Sequence, residues 1–294
     1  MRSRAALTLL VAAMGSAPPV AAQSLYYEGA LSVASGAYIF PERTTGWSLF
    51  TGLAAEAQQL TFRITLPVYL QNSTLIALSG PGGSIPTGGS FAGIVADTGA
   101  ARGRRGSAIT GRAAAPALAQ GKVAVPSSAV TGYRAAVGDP VGELSVRAVN
   151  THNTALSVSV LAKAPVADTA TFGTGQWDVA AGIGVSQRIG ARMTAGVDVK
   201  YWHLGDLPDL DFRDPVYGTA TIGYLGERGW GGGATFSAGS SALEGYDGPA
   251  WIGGYLSRSS AAGTWGLHGA VGLTETTPDF TLGLSWSVRL AQGR

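Results

Sequence analysis

The sequence predicts an all-β protein: a transmembrane antiparallel β-barrel of about twelve strands with one long extracellular loop. Three observations carry that expectation. The first is an unbroken alternation near the C-terminus, where Phe280, Leu282, Leu284, Trp286, Val288 and Leu290 share one parity and Thr281, Gly283, Ser285, Ser287 and Arg289 the other. Successive strand side chains point to opposite faces, so this stretch has one oily face and one small, polar face. The second is an export signal with no later apolar run of the ~20 residues that a spanning helix needs. The third is a set of connections that are alternately short and long, as in outer-membrane barrels.

Composition agrees. Only 13% of the 294 residues are charged, well below the roughly 25% of a soluble domain. The absence of Cys excludes a disulfide framework and a thiolate metal site, and a net charge of +2 gives no reason to expect a nucleic-acid partner. Residues 1–22 read as a signal peptide, with Arg2 and Arg4 ahead of the apolar run Ala5 to Met14 and small residues up to Ala22. A mature chain of residues 23–294 with no helical span crosses a membrane only as strands.

Strands are expected at about 28 to 40, 46 to 56, 58 to 70, 139 to 149, 154 to 163, 176 to 188, 191 to 202, 215 to 225, 229 to 239, 248 to 258, 263 to 273 and 279 to 290. Alternation is clean at Leu60, Phe62, Ile64, Leu66, Val68 and Leu70, and again at Met193, Ala195, Val197, Val199 and Tyr201. The joins after the second, fourth, sixth, eighth and tenth strands are short: Ala57, Asn150 to Asn153, Ile189-Gly190, Gly226 to Arg228 and Ser259 to Ala262. An even count with short turns at one end places both termini in the periplasm. Aromatic residues near strand ends suit two girdles at the headgroup levels: Tyr38, Phe40, Trp47, Tyr69, Trp177, Tyr201, Trp202, Tyr217, Tyr224, Trp230, Trp251, Trp265 and Phe280.

The segment 71–137 interrupts this rhythm. It is rich in Gly, Ala, Ser and Pro and carries Arg102, Arg104, Arg105 and Arg112 with a single acid, Asp97. Three readings fit: a basic constriction folded into the lumen, a surface against anionic lipopolysaccharide, and a plain loop, with a further strand pair within Ala108 to Val125 keeping the count even.

A charge on the lipid face costs about 2–4 kcal/mol near the midplane, so the polar parity offers its charges to the interior. Those residues are Arg63, Glu143, Arg147, Lys163, Asp178, Arg192, Asp198, Lys200, His268 and Arg289. Such groups either lock the wall through ion pairs or line a polar path. Catalysis has no support. His152, His203 and His268 are followed two positions on by Thr154, Gly205 and Ala270, so none has the Ser that an outer-membrane phospholipase places there. Asp206, Asp209, Asp211 and Asp214 lack the order of a calcium loop, and Gly173-Thr174-Gly175 opens a strand where a phosphate cradle needs a helix. No cofactor or metal is expected.

Lys163-Ala164-Pro165, followed by Gly173-Thr174-Gly175-Gln176-Trp177-Asp178, resembles a pattern of the MetA-pathway phenol-degradation family of outer-membrane transporters. Gly138-Asp139 and Leu66-Pro67 look like further features of it. The resemblance spans most of Tyr27 to Leu290. It departs at Val166, where the family often has Thr, in the long Arg-rich insertion, and at the end Ala291-Gln292-Gly293-Arg294, which lacks a terminal aromatic. What it implies is a twelve-stranded barrel in the cell outer membrane that passes small, often hydrophobic compounds.

The expected function is therefore passive passage of small solutes, aromatic or otherwise hydrophobic ones included, by a monomer without enzymatic activity. Its expected partners are outer-membrane lipid, lipopolysaccharide and the barrel-assembly machinery. A sealed structural or surface-binding barrel, a soluble β-domain and an outer-membrane hydrolase are the alternatives.

Overall fold

The structure is a computed structural model that describes residues 24–37, 43–72, 132–167, 175–205, 212–242 and 245–292. The expected signal peptide, Tyr38, Phe40, the four arginines of the basic insertion, its conjectured strand pair and Asp206 to Asp211 lie outside those residues.

The strands are β1 (Ser24–Gly36), β2 (Thr44–Ala57), β3 (Leu60–Gln71), β4 (Arg134–Val137), β5 (Val141–Asn150), β6 (Thr154–Lys163), β7 (Asp178–Ile189), β8 (Met193–His203), β9 (Val216–Leu225), β10 (Trp230–Gly239), β11 (Ala250–Ser260), β12 (Gly263–Gly272) and β13 (Phe280–Gln292). Each pairs antiparallel with its sequence neighbour, apart from β4 and β5, which both pair with β3. The last strand returns to the first, from Ser35 opposite Phe280 down to Ser24 opposite Gln292. The sheet therefore closes as a 12-strand antiparallel barrel, with the short β4 paired on its β3 side alone among the described residues.

The fourth wall strand departs from expectation. It is two pieces, β4 and β5, separated by Gly138-Asp139-Pro140, and its outer piece, like the end of β3, falls within the segment expected to be loop. Arg134-Ala135-Ala136-Val137 has no alternation to read, and pairing with Val68 to Gln71 makes it a strand. Pro67 explains the gap. It has no N–H to donate, and it lies between the last β5 rung, at Thr65, and the first β4 rung, at Val68, where no rung forms. Its carbonyl still accepts from Gly138 N–H at 2.9 Å.

Faces follow the pleat as expected. Leu267, Leu282, Leu284, Val160 and Val197 stand half exposed on the outer wall, while their polar neighbours in sequence turn inward. An outer wall apolar over this extent reverses a soluble protein and suits a hydrocarbon environment. At one end of the barrel the connections are tight: Gln58-Gln59, with Gln58 at φ 52, takes the place of the expected Ala57, and Gly190 turns at φ 65. This is the turn end; the opposite, loop end carries the long connections.

The aromatic expectation divides. Trp265 does stand on the outer wall at the turn end, in a pair with Trp286, which was not among the expected girdle residues, with centroids 6.3 Å apart. Gly29 makes room for it, since a Cβ there would lie 2.4 Å from the Trp286 ring. Tyr69, Trp202 and Tyr217, expected in a girdle, are instead buried inside the barrel. Trp202 follows Tyr201 directly, and adjacent residues of one strand cannot share a face.

Candidate functional site

The interior has two unlike halves. Towards the loop end, inward side chains are large and apolar. Phe50 and Tyr69 meet edge to face at 6.2 Å beside Ala34, and Leu161, Ala180, Trp202, Leu204 and Tyr217 form a second cluster. Ser32 and Ser48 hydroxyls bond to each other at 2.7 Å near the first.

Next to the second cluster lies a buried ionic group. Lys163, at the end of β6, is opposite Val141 on one side and Asp178 on the other. Its ammonium is paired with Asp178, and Asp139 stands 3.8 Å away across the β4–β5 break. Both lysine and Asp139 have 0% exposure, so hydrogen bonds must replace the lost water. The carboxylates supply them. Asp139 accepts from the Val166 and Ala167 amides at 2.9 and 2.8 Å, and Asp178 accepts from the Gly205 amide at 3.0 Å. The Lys-x-Pro segment, the Gly-Asp and the last Asp of the glycine motif, far apart in sequence, thus form one cluster that ties strand ends to loop roots.

Towards the turn end the inner wall encloses a chamber of about 430 Å³. Its lining crosses from β2 and β3 to β9 and includes Ser145, Ser157, Ser186, Thr219 and Thr221, together with Glu56, Arg147 and Asp198. Gly184 keeps it open on one side, because a Cβ there would meet Ser157 Oγ at 2.8 Å and Asp198 at 3.1 Å. Asp198 is hydrogen-bonded to Lys200 two residues along the same inner face.

The other residues named from sequence are placed as follows. Arg63 points inward and bridges Glu28 at 2.6 Å and Glu143 at 2.9 Å, reaching over β2 where Ala54 is nearly fully buried. Glu28 was not among the expected interior charges although it opens the expected first strand; its parity with Ala30, Ser32 and Ala34 was the readable signal. His268 faces inward against Gly283, whose Cβ would lie 2.5 Å from the ring. Arg289 lies at the turn-end mouth with its guanidinium 5.7 Å above the Tyr26 ring. Arg192 is a correction. It belongs to the turn before β8, and its guanidinium reaches outward to the Tyr224 hydroxyl and Glu227, both at 3.0 Å. Those two bonds, Tyr224 first, raise its pKa above the ordinary value. Off the strand, the pleat no longer dictates its direction. At the loop end, Asp214 accepts from His203, Tyr201 and the Leu204 amide, and the His203 contact is foremost in holding its carboxyl below the usual range.

Comparison with solved structures gives an outer-membrane channel of Pseudomonas putida F1 described as COG4313, with a TM-score of 0.64 at 12% identity, covering 94% of this chain and 97% of that one. This chain shares that channel's fold. The toluene transporter TodX of Pseudomonas putida (TM-score 0.45, 12% identity, 96% and 93% covered) and the NanC porin (0.47, 8%, 91% and 100%) superimpose less completely. No family model and no curated protein matches the sequence.

Proposed function

We propose that the chain is a monomeric outer-membrane channel through which small solutes, aromatic and other hydrophobic ones among them, pass by diffusion. The observation that carries this is the inverted barrel: a closed ring with an apolar outer wall and a chamber inside it. The turn end faces the periplasm and the loop end the exterior, which sets the loop-half aromatics first on the inward route and the polar chamber second. Passage needs no bond-making. The wall supplies weak contacts in series, enough to admit a solute and too few to hold it. Lipid meets the outer wall, lipopolysaccharide the loop end, and the assembly machinery inserts the strands. Likeness to an outer-membrane channel supports the location and the reading.

The test is conductance in planar bilayers and solute uptake into proteoliposomes by purified, heat-modifiable protein. Conductance or uptake above that of empty vesicles is expected; inserted protein that gives neither overturns the proposal. A second reading, a sealed barrel with a structural role, is favoured by one observation, the deep burial of Tyr69 and Trp202 in the loop half of the interior. The same measurement separates the two.

A further inference from the structure

We propose that the turn-end chamber holds a binding site for the carboxylate of a small organic monoanion, centred on the Arg147 guanidinium; this rests on the channel reading and names a solute class for it. The observation is an inequality among inner-face cations. Arg63 is held between Glu28 and Glu143, Lys163 between Asp139 and Asp178, and Lys200 on Asp198. Arg147 also projects inward, into the chamber, yet among the described residues its guanidinium has no ion pair and no hydrogen bond. A guanidinium offers five N–H donors in a planar fork that matches the two oxygens of a carboxylate. Its surroundings suit such a guest, because Thr61, Ser145 and Ser186 are neutral hydroxyls that donate to an anion without adding competing charge, while Ser157, Thr219 and Thr221 are held by Gly184 O, Ser237 and Thr235.

Local backbone geometry singles out the same residue. The β5–β6 register runs evenly to Arg147 opposite Ser157 and then slips, with Val149 opposite Leu156. A bulge of this kind bends the strand and re-aims the adjoining side chain. Size agrees too, since about 430 Å³ holds one small organic molecule. Two acids share the chamber. Asp198 is neutralised by Lys200, which leaves Glu56 at the end of β2 as the unpaired negative charge. Among the described residues of the lining, then, Arg147 and Glu56 are the cation and the acid without an ionic partner, a balance that admits a monoanion and disfavours a dianion.

Benzoate is the probe and benzamide its neutral isostere. In planar bilayers benzoate should reduce the chloride current saturably and benzamide should not. A charge-assisted pair is worth ~1.5–3 kcal/mol, so Arg147→Gln should raise the half-blocking concentration roughly tenfold or more. Arg147→Lys should raise it less, and Glu56→Gln should lower it. Calorimetric titration of benzoate into the detergent-solubilised protein reads the same site without requiring current. Equal action of benzoate and benzamide, or an Arg147→Gln variant that binds benzoate like the parent, overturns the carboxylate site even where conductance is intact. Silent bilayers and no solute uptake, with normal calorimetric binding, keep the site and overturn the channel.

Discussion

The loop half and the turn half of the barrel interior are built on the same inward parity and differ in how they treat charge. Near the loops, Lys163, Asp139 and Asp178 are buried, and amides from the loop roots bond one oxygen of each carboxylate, while Asp139 Oδ2 has the lysine ammonium 3.8 Å away and no hydrogen bond among the described residues. Near the turns, Asp198 and Lys200 remain partly in solvent, and Arg147 faces the chamber without an ionic partner. Water is the cause of the difference. Where aromatic side chains exclude it, a charge persists only beside an opposite charge and amide donors; where a chamber admits it, pairing is optional and charge is left for a solute.

Substitutions that remove one partner should therefore cost most in the loop half. Lys163→Met leaves two buried carboxylates facing each other and should destabilise by about 3–5 kcal/mol, read from urea unfolding of the folded barrel by gel mobility; a cost below ~1 kcal/mol would erase the contrast. Trp202→Ala should follow at about 3 kcal/mol through the cavity it opens, with a rise in unitary conductance. Trp202→Phe should cost far less, since the indole N–H has no hydrogen-bond partner among the described residues. Arg63→Gln, midway between the halves, leaves Glu28 and Glu143 part-buried, and roughly 2 kcal/mol is expected, largely recovered when Glu28→Gln is added. In the turn half, Lys200→Met should cost less than about 1 kcal/mol, because solvent screens its pair, while ion selectivity shifts towards cations; an unchanged reversal potential would contradict a place on the solute path. The smallest effect belongs to Asp214. Its carboxyl titrates below the ordinary range in the folded state, so the contact with His203 adds stability above that range and loses it as pH falls through the depressed value. Asp214→Asn should lower stability slightly at neutral pH, flatten this acid limb of an unfolding profile and leave strongly acidic pH nearly unchanged.

Several of these features were legible in the sequence and others were not, for identifiable reasons. The alternation of β3 and β13 announced which side chains face out, because a pleat has a period of two residues whatever it packs against. Arg63 and Lys200 were recognisable as inward on that ground alone. Arg192 was misplaced because β8 begins at Met193, two residues after the expected start, which leaves this side chain off the pleat. Tyr69, Trp202 and Tyr217 were read as girdle residues by their nearness to strand ends, a cue that ignores the face they occupy.

By itself, then, the order of residues determined a twelve-stranded barrel and the face of its cleanly alternating strands, β3, β8 and β13, since these follow from local periodicity and turn chemistry. Only the tertiary structure decided that Asp139, Lys163 and Asp178 share one buried cluster and that Arg147 is left unpaired. Both facts depend on which strands become neighbours and on the register between them. The choice of partner across a sheet is a non-local property, set when the barrel closes and a break beside Pro67 turns Asp139 towards β6.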